Sequence, residues 1–99
     1  MSKGGEKEVK VKFPDNLLGG AYSNNMFVTH TKEEFILDYL MVSPPTGGTV
    51  TSRVIISPGH MKRMIVALQD NVKKYEDKFG QIDAAEEPKL QGFNSPIKH

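Results

Sequence analysis

Phe35-Ile-Leu-Asp-Tyr-Leu-Met-Val-Ser-Pro-Pro-Thr-Gly-Gly-Thr-Val-Thr-Ser-Arg-Val-Ile-Ile56 is the stretch of this 99-residue chain that decides its fold. Two runs rich in β-branched, aromatic and aliphatic residues flank Ser43-Pro-Pro-Thr-Gly-Gly48. Proline fixes φ and glycine permits positive φ, so that centre is a loop and the flanks are strands at 34–42 and 50–56. In the first of these strands Phe35, Leu37, Tyr39 and Met41 point to one face, and Ile36, Leu40 and Val42 to the other. Both faces are apolar and both need cover. A helix supplies one cover; an identical subunit is expected to supply the other, which gives a twofold dimer. Folding the hairpin about Pro45 and Thr46 makes paired positions sum to 91 and sets Asp38 opposite Arg53. A structural cross-strand ion pair is expected there.

Downstream the period changes from two to that of a helix. Ser57 suits the N-cap and Pro58 the first helical position, and Met61, Met64, Ile65, Leu68, Val72, Tyr75 and Phe79 recur at helical spacing before Gly80 stops the run. A helix of this length extends roughly 33 Å at 1.5 Å per residue. Met61, Ile65, Leu68, Val72, Tyr75 and Phe79 are spaced 4-3-4-3-4. That rhythm serves a helix lying on its own sheet, and it also serves a seam between two helices.

Upstream, Val9, Val11 and Phe13 alternate with Lys10 and Lys12, which predicts a first strand at 8–13 before a turn at Pro14-Asp15-Asn16. Ala21 to His30 reads as a second strand. Thr31 to Glu34 is expected to form a capped turn in which Thr31 accepts a backbone N–H and Glu34 reaches back. The expected class is α+β, order ββββα: a four-stranded antiparallel sheet followed by one long C-terminal helix. A single domain is placed at 8–82, between a flexible N-terminal tail at 1–7 and a flexible C-terminal tail at 83–99.

Composition narrows the function classes. Thirteen basic against twelve acidic residues leave a net charge of +1, without the excess that duplex-binding domains use against phosphates. The absence of cysteine removes disulfides, thiol nucleophiles and Cys-ligated zinc, which suits a reducing, cytoplasmic setting. The N-terminus lacks the apolar run of a signal peptide, and no stretch approaches the roughly 20 apolar residues of a membrane span.

Motifs for chemistry are sparse. His30, His60 and His99 do not share a helical face, and no cofactor or metal is expected. Ser57-Pro-Gly-His60 lacks the Gly-x-Ser-x-Gly of a nucleophile elbow, and none of the three Gly-Gly pairs leads into a P-loop. Glu33, Glu34 and Asp38 lack an evident catalytic partner, so the chain is not expected to be an enzyme. Arg53, His60, Lys62 and Arg63, with Tyr22 and Tyr39 as stacking platforms, are the candidates for contact with single-stranded nucleic acid. The plainer expectation is a solvated face laced with pairs such as Asp70 with Lys74 and Lys73 with Asp77.

Ala21-Tyr-Ser-Asn24, Lys32-Glu-Glu-Phe-Ile-Leu-Asp-Tyr39 and Ser52-Arg-Val-Ile-Ile-Ser-Pro-Gly-His-Met-Lys-Arg63, followed by Asn71 to Gly80, carry a likeness. From about Gly19 to Gly80 the chain resembles the small bacterial and archaeal proteins of domain-of-unknown-function family 3467. The resemblance implies a small intracellular protein and brings no catalytic residues with it. The ββββα order is also similar in topology to coactivator domains that bind single-stranded DNA as helix-paired dimers. Two expectations follow. The favoured one is a non-catalytic, homodimeric module for interaction with another protein; the alternative is a dimer that binds single-stranded nucleic acid.

Overall fold

The computed structural model describes residues 8–86, so the expected tail at 1–7 and the expected tail beyond 86 lie outside the described residues. A 3-10 turn at Asp15–Leu17 precedes three strands, β1 (Asn25–His30), β2 (Phe35–Ser43) and β3 (Gly47–Ile56), and one helix, α1 (Pro58–Phe79). The strands form an antiparallel meander in the order β1-β2-β3. The class is therefore α+β with a three-stranded sheet, and the expected four-stranded sheet is corrected by one strand.

That strand is 8–13. Val9, Val11 and Phe13 are exposed and no ladder includes them. Alternation describes which face a strand would bury, but a strand exists only where its N–H and C=O groups find a neighbouring edge. The Pro14-Asp15-Asn16 turn does form: the Leu17 N–H bonds the Pro14 carbonyl at 2.9 Å.

The second expected strand starts four residues late for a specific reason. Ser23 and Asn24 do with side chains what a strand does with its backbone. The Asn24 side-chain amide donates to the Val42 carbonyl and accepts the Val42 N–H, both at 2.9 Å, while the Asn24 N–H bonds the Leu40 carbonyl at 3.0 Å. The Ser23 hydroxyl lies 2.8 Å from the Asn25 carbonyl and 2.9 Å from that of Leu40, which share its single proton. Together they pin the start of β1 to β2. Between β1 and β2, Thr31 Oγ1 accepts from the Glu33 and Glu34 N–H groups as expected. Glu34 reaches back through its backbone: its carbonyl accepts the Thr31 N–H at 2.9 Å.

The β2–β3 hairpin contains the clearest refinement of the sequence reading. From Phe35–Ile56 to Tyr39–Ser52 the paired positions sum to 91, whereas from Leu40–Val50 to Ser43–Gly47 they sum to 90. The loop is three residues, Pro44 to Thr46, with a cis Pro44–Pro45 peptide and a Thr46 N–H bond to the Ser43 carbonyl at 2.9 Å. Thr51 is the extra residue of a β-bulge, and its hydroxyl lies 3.2 Å from the Tyr39 carbonyl. The bulge absorbs the one-residue difference between turn and ladder, so Val50 and Arg53 both stay on the face of Leu40 and Asp38. Gly48 packs closely against β2: a Cβ there would meet the Val42 side chain at 3.2 Å, so Val42 would have to give by a few tenths of an ångström.

Ser57 caps α1 by accepting the His60 N–H at 3.2 Å, Pro58 opens it, and Gly80 closes it at φ +100 with its N–H on the Glu76 carbonyl. The Ile82 N–H then bonds the Glu76 carboxylate at 3.0 Å. The core lies in β2: Ile36, Leu37, Leu40 and Val42 are buried, with Thr29 beside them on β1. No residue of α1 is buried.

Replacing Asn24 by Ala leaves the Val42 N–H and carbonyl without protein partners and is expected to cost about 1–3 kcal/mol in urea denaturation. Ser57→Ala is expected to cost about 1 kcal/mol in the same measurement, from the lost cap.

Candidate interaction surface

The register assigns every sheet side chain to a face. Met26 and Val28 of β1, Phe35, Leu37 and Tyr39 of β2, and Val54 and Ile56 of β3 share one face. Asp38, Arg53, Ile36 and Leu40 occupy the other. Ile36, Leu40 and Val42 are at most 7% exposed within the single chain. The face of Ile36, Leu40 and Val42 is thus already closed at the middle of the sheet. Those side chains lie at the middle of the sheet, flanked by Thr29 and Asn25 of β1 and by Ile55 and Val50 of β3.

The uncovered apolar surface is on the helix. Ile65, Leu68, Val72, Tyr75 and Phe79 are 44–66% exposed. The N-terminal half of α1 stands over the first sheet face without closing on it and leaves a groove of about 1230 Å³. Met26, Val28, Leu37 and Tyr39 line it from the sheet, Met61, Met64, Ile65 and Leu68 from the helix, and Tyr22 and Lys62 contribute as well. Helix lining stops at Leu68; Val72, Tyr75 and Phe79 continue the stripe past the groove. Tyr75 and Phe79 keep their rings 5.0 Å apart, and the Lys78 ammonium sits 5.3 Å from the Phe79 ring. Of the two roles expected for the 4-3-4-3-4 stripe, packing on its own sheet engages only the first half.

Asp38 and Arg53 pair as expected. The guanidinium donates from Nε at 2.6 Å and from an Nη at 2.8 Å, in a bidentate fork. Asp38 is 1% exposed while the Arg53 side chain keeps 43% of its surface. The hydrogen bonds from Arg53 hold the Asp38 carboxyl below its ordinary pKa, against the opposing effect of burial, and the positive charge of Arg53 adds to them. The same bonds raise Arg53. Asp38 takes both bonds from one guanidinium, and the pair ties β2 to β3 at one register position.

The candidate nucleic-acid residues do not gather. Arg53 is spent on Asp38 and lies on the sheet face opposite Tyr39. Tyr39 is half-buried in the groove, while Tyr22 is 78% exposed beside it. Of the cations at the start of α1, Lys62 lines the groove, whereas Arg63 lies 3.1 Å from His60 Nδ1 on the exposed surface. Along α1 the Lys73–Asp77 pair forms at 3.0 Å, while Asp70 and Lys74 make no such contact. Among the described residues no cluster of three His, Cys, Asp or Glu is placed to hold a metal ion. Sequence reasoning named the helix stripe and Tyr22; it missed Met26 and Val28 as the opposite wall, because only the register puts them across from the helix.

A folded Asp38 carboxyl held below its unfolded value contributes stability that is present above the unfolded pKa, near 3.9, and is lost as pH falls through the folded value. Acid titration of stability is expected to show that loss in the native chain and to lack it in Asp38→Asn. At neutral pH Asp38→Ala is expected to cost about 1–3 kcal/mol, because solvent reaches the guanidinium that remains.

Comparison with curated proteins and with solved structures returns no match. Comparison with protein families matches residues 1–84, which extends the likeness of Gly19 to Gly80 in both directions and includes the segment read as a first strand. The three strands, α1 and the groove with all its lining residues fall inside that span. This chain belongs to the family described as protein of unknown function (DUF3467).

Proposed function

We propose that this protein is a non-catalytic, homodimeric interaction module that works inside the cell by presenting protein surface. The observation that carries the reading is the unspent apolar stripe of α1, from Ile65 to Phe79, above a core of four buried apolar residues among those described. Domains of about this size bury only some 60% of the surface their unfolded chains expose, and association is a common source of the missing stability. A net charge of +1 lets like chains approach without much repulsion. No helix among the described residues is long and apolar enough to cross a membrane.

Single-stranded nucleic acid stays as the second reading because exposed Tyr22 and Lys62, an aromatic and a cation, line the same groove. Its weakness is the dispersal of the other candidates over opposite faces.

Light scattering on the size-exclusion peak, with absorbance at two wavelengths, tests both. The expected result is twice the 11.0 kDa chain mass with a protein-like absorbance ratio at low and at high salt. A monomeric mass sinks the module. A nucleic-acid-rich ratio that disappears with salt transfers the case to the second reading.

A further inference from the structure

We infer that two copies associate by reciprocal helix exchange, the C-terminal half of α1 from each chain filling the groove of the other. The inference rests on the homodimeric reading above and specifies its interface. Four observations converge on a second copy as the occupant.

The first is symmetry in the sequence. The spacing 4-3-4-3-4 reads the same in both directions, so an antiparallel copy can match every stripe residue with another. Positions that sum to 140 then face each other: Met61 and Phe79, Ile65 and Tyr75, Leu68 and Val72. Each pair joins a residue that lines the groove to one that runs past it, which is the isologous relation of a twofold interface.

The second is volume. Val72 to Phe79 is eight residues of helix. At 1.5 Å per residue and about 10 Å across, that segment fills roughly 900 Å³. The groove measures about 1230 Å³, so two helical turns fit with room for the side chains to adjust. The third is area. The exposed parts of the helix stripe with those of Tyr22, Met26 and Val28 amount to roughly 700–800 Å², taking about 150–250 Å² for each aromatic. One side of a standard interface contributes about 800 Å².

The fourth is charge. In the antiparallel register Lys62, which lines the groove, comes within two positions of Glu76 on the second copy. Glu76 has one carboxylate oxygen engaged by the Ile82 N–H and the other directed to no described partner. Like-signed Lys62 and Arg63 of the two copies are held at opposite ends of the seam. A parallel pair would stack them.

The chain has no cysteine, so introduced thiols report contacts without background. Tagged Ile65→Cys chain mixed with untagged Tyr75→Cys chain is expected to form the mixed disulfide on oxidation, while Ile65→Cys alone stays unlinked. Val72→Glu, at a position 47% exposed in the single chain, is expected to halve the mass and keep the helical far-UV signal. An Ile65-to-Ile65 disulfide means parallel helices and overturns the exchange. A dimer that forms neither disulfide, or that keeps its mass with Val72→Glu, overturns the exchange and leaves the homodimeric module standing. A native monomer overturns both.

Discussion

The fork between Arg53 and Asp38 is the contact on which the sheet depends. Asp38 sits on the central strand at 1% exposure, where an unpaired carboxylate is costly, and the cation that pairs with it, Arg53, is two residues past the bulge of the neighbouring strand. A one-residue slip of β3 would turn Arg53 to the other face and bring Ser52 or Val54 against the acid. The register that satisfies Asp38 is therefore the register that builds both faces. Thr51 bulges so that this register survives a three-residue turn.

Once β2 and β3 are fixed, the other elements follow by local chemistry. Asn24 and Ser23 bind the start of β1 to the end of β2 through side-chain amide and hydroxyl, which gives both residue types a structural reason. Ser57 and Pro58 begin α1 directly after β3, and the helix leaves the sheet at an angle that keeps only its first half near the apolar face. The groove is the geometric result of a long helix attached at one end to a short sheet. Its function, in the reading advanced here, is to be filled from outside the chain.

The faces matter for that reading. Arg53 is occupied by a structural pair on the face away from the groove, and Tyr39 turns into the groove, so the residues that suggested a stacking and phosphate-binding surface are divided by the sheet. The apolar residues, by contrast, converge. Met26 and Val28 on β1 face Met61, Ile65 and Leu68 on α1 although more than thirty positions separate them in the chain.

The sequence by itself determined the elements whose signals are local. Proline, glycine and serine at Pro44, Gly47, Ser57, Pro58 and Gly80 fix turns and helix ends through their own φ and hydrogen-bonding chemistry, and the α1 bounds and the Asp38–Arg53 pairing were legible from them. Only the tertiary structure decided that 8–13 is not a strand, that β1 begins at Asn25, and which apolar face is left uncovered. Alternation at Val9, Val11 and Phe13 carries no information about whether an edge is present to pair with. Likewise, the exposure of Val72, Tyr75 and Phe79 depends on how far the second half of the helix lies from the sheet, a distance set by packing between segments and by no single residue.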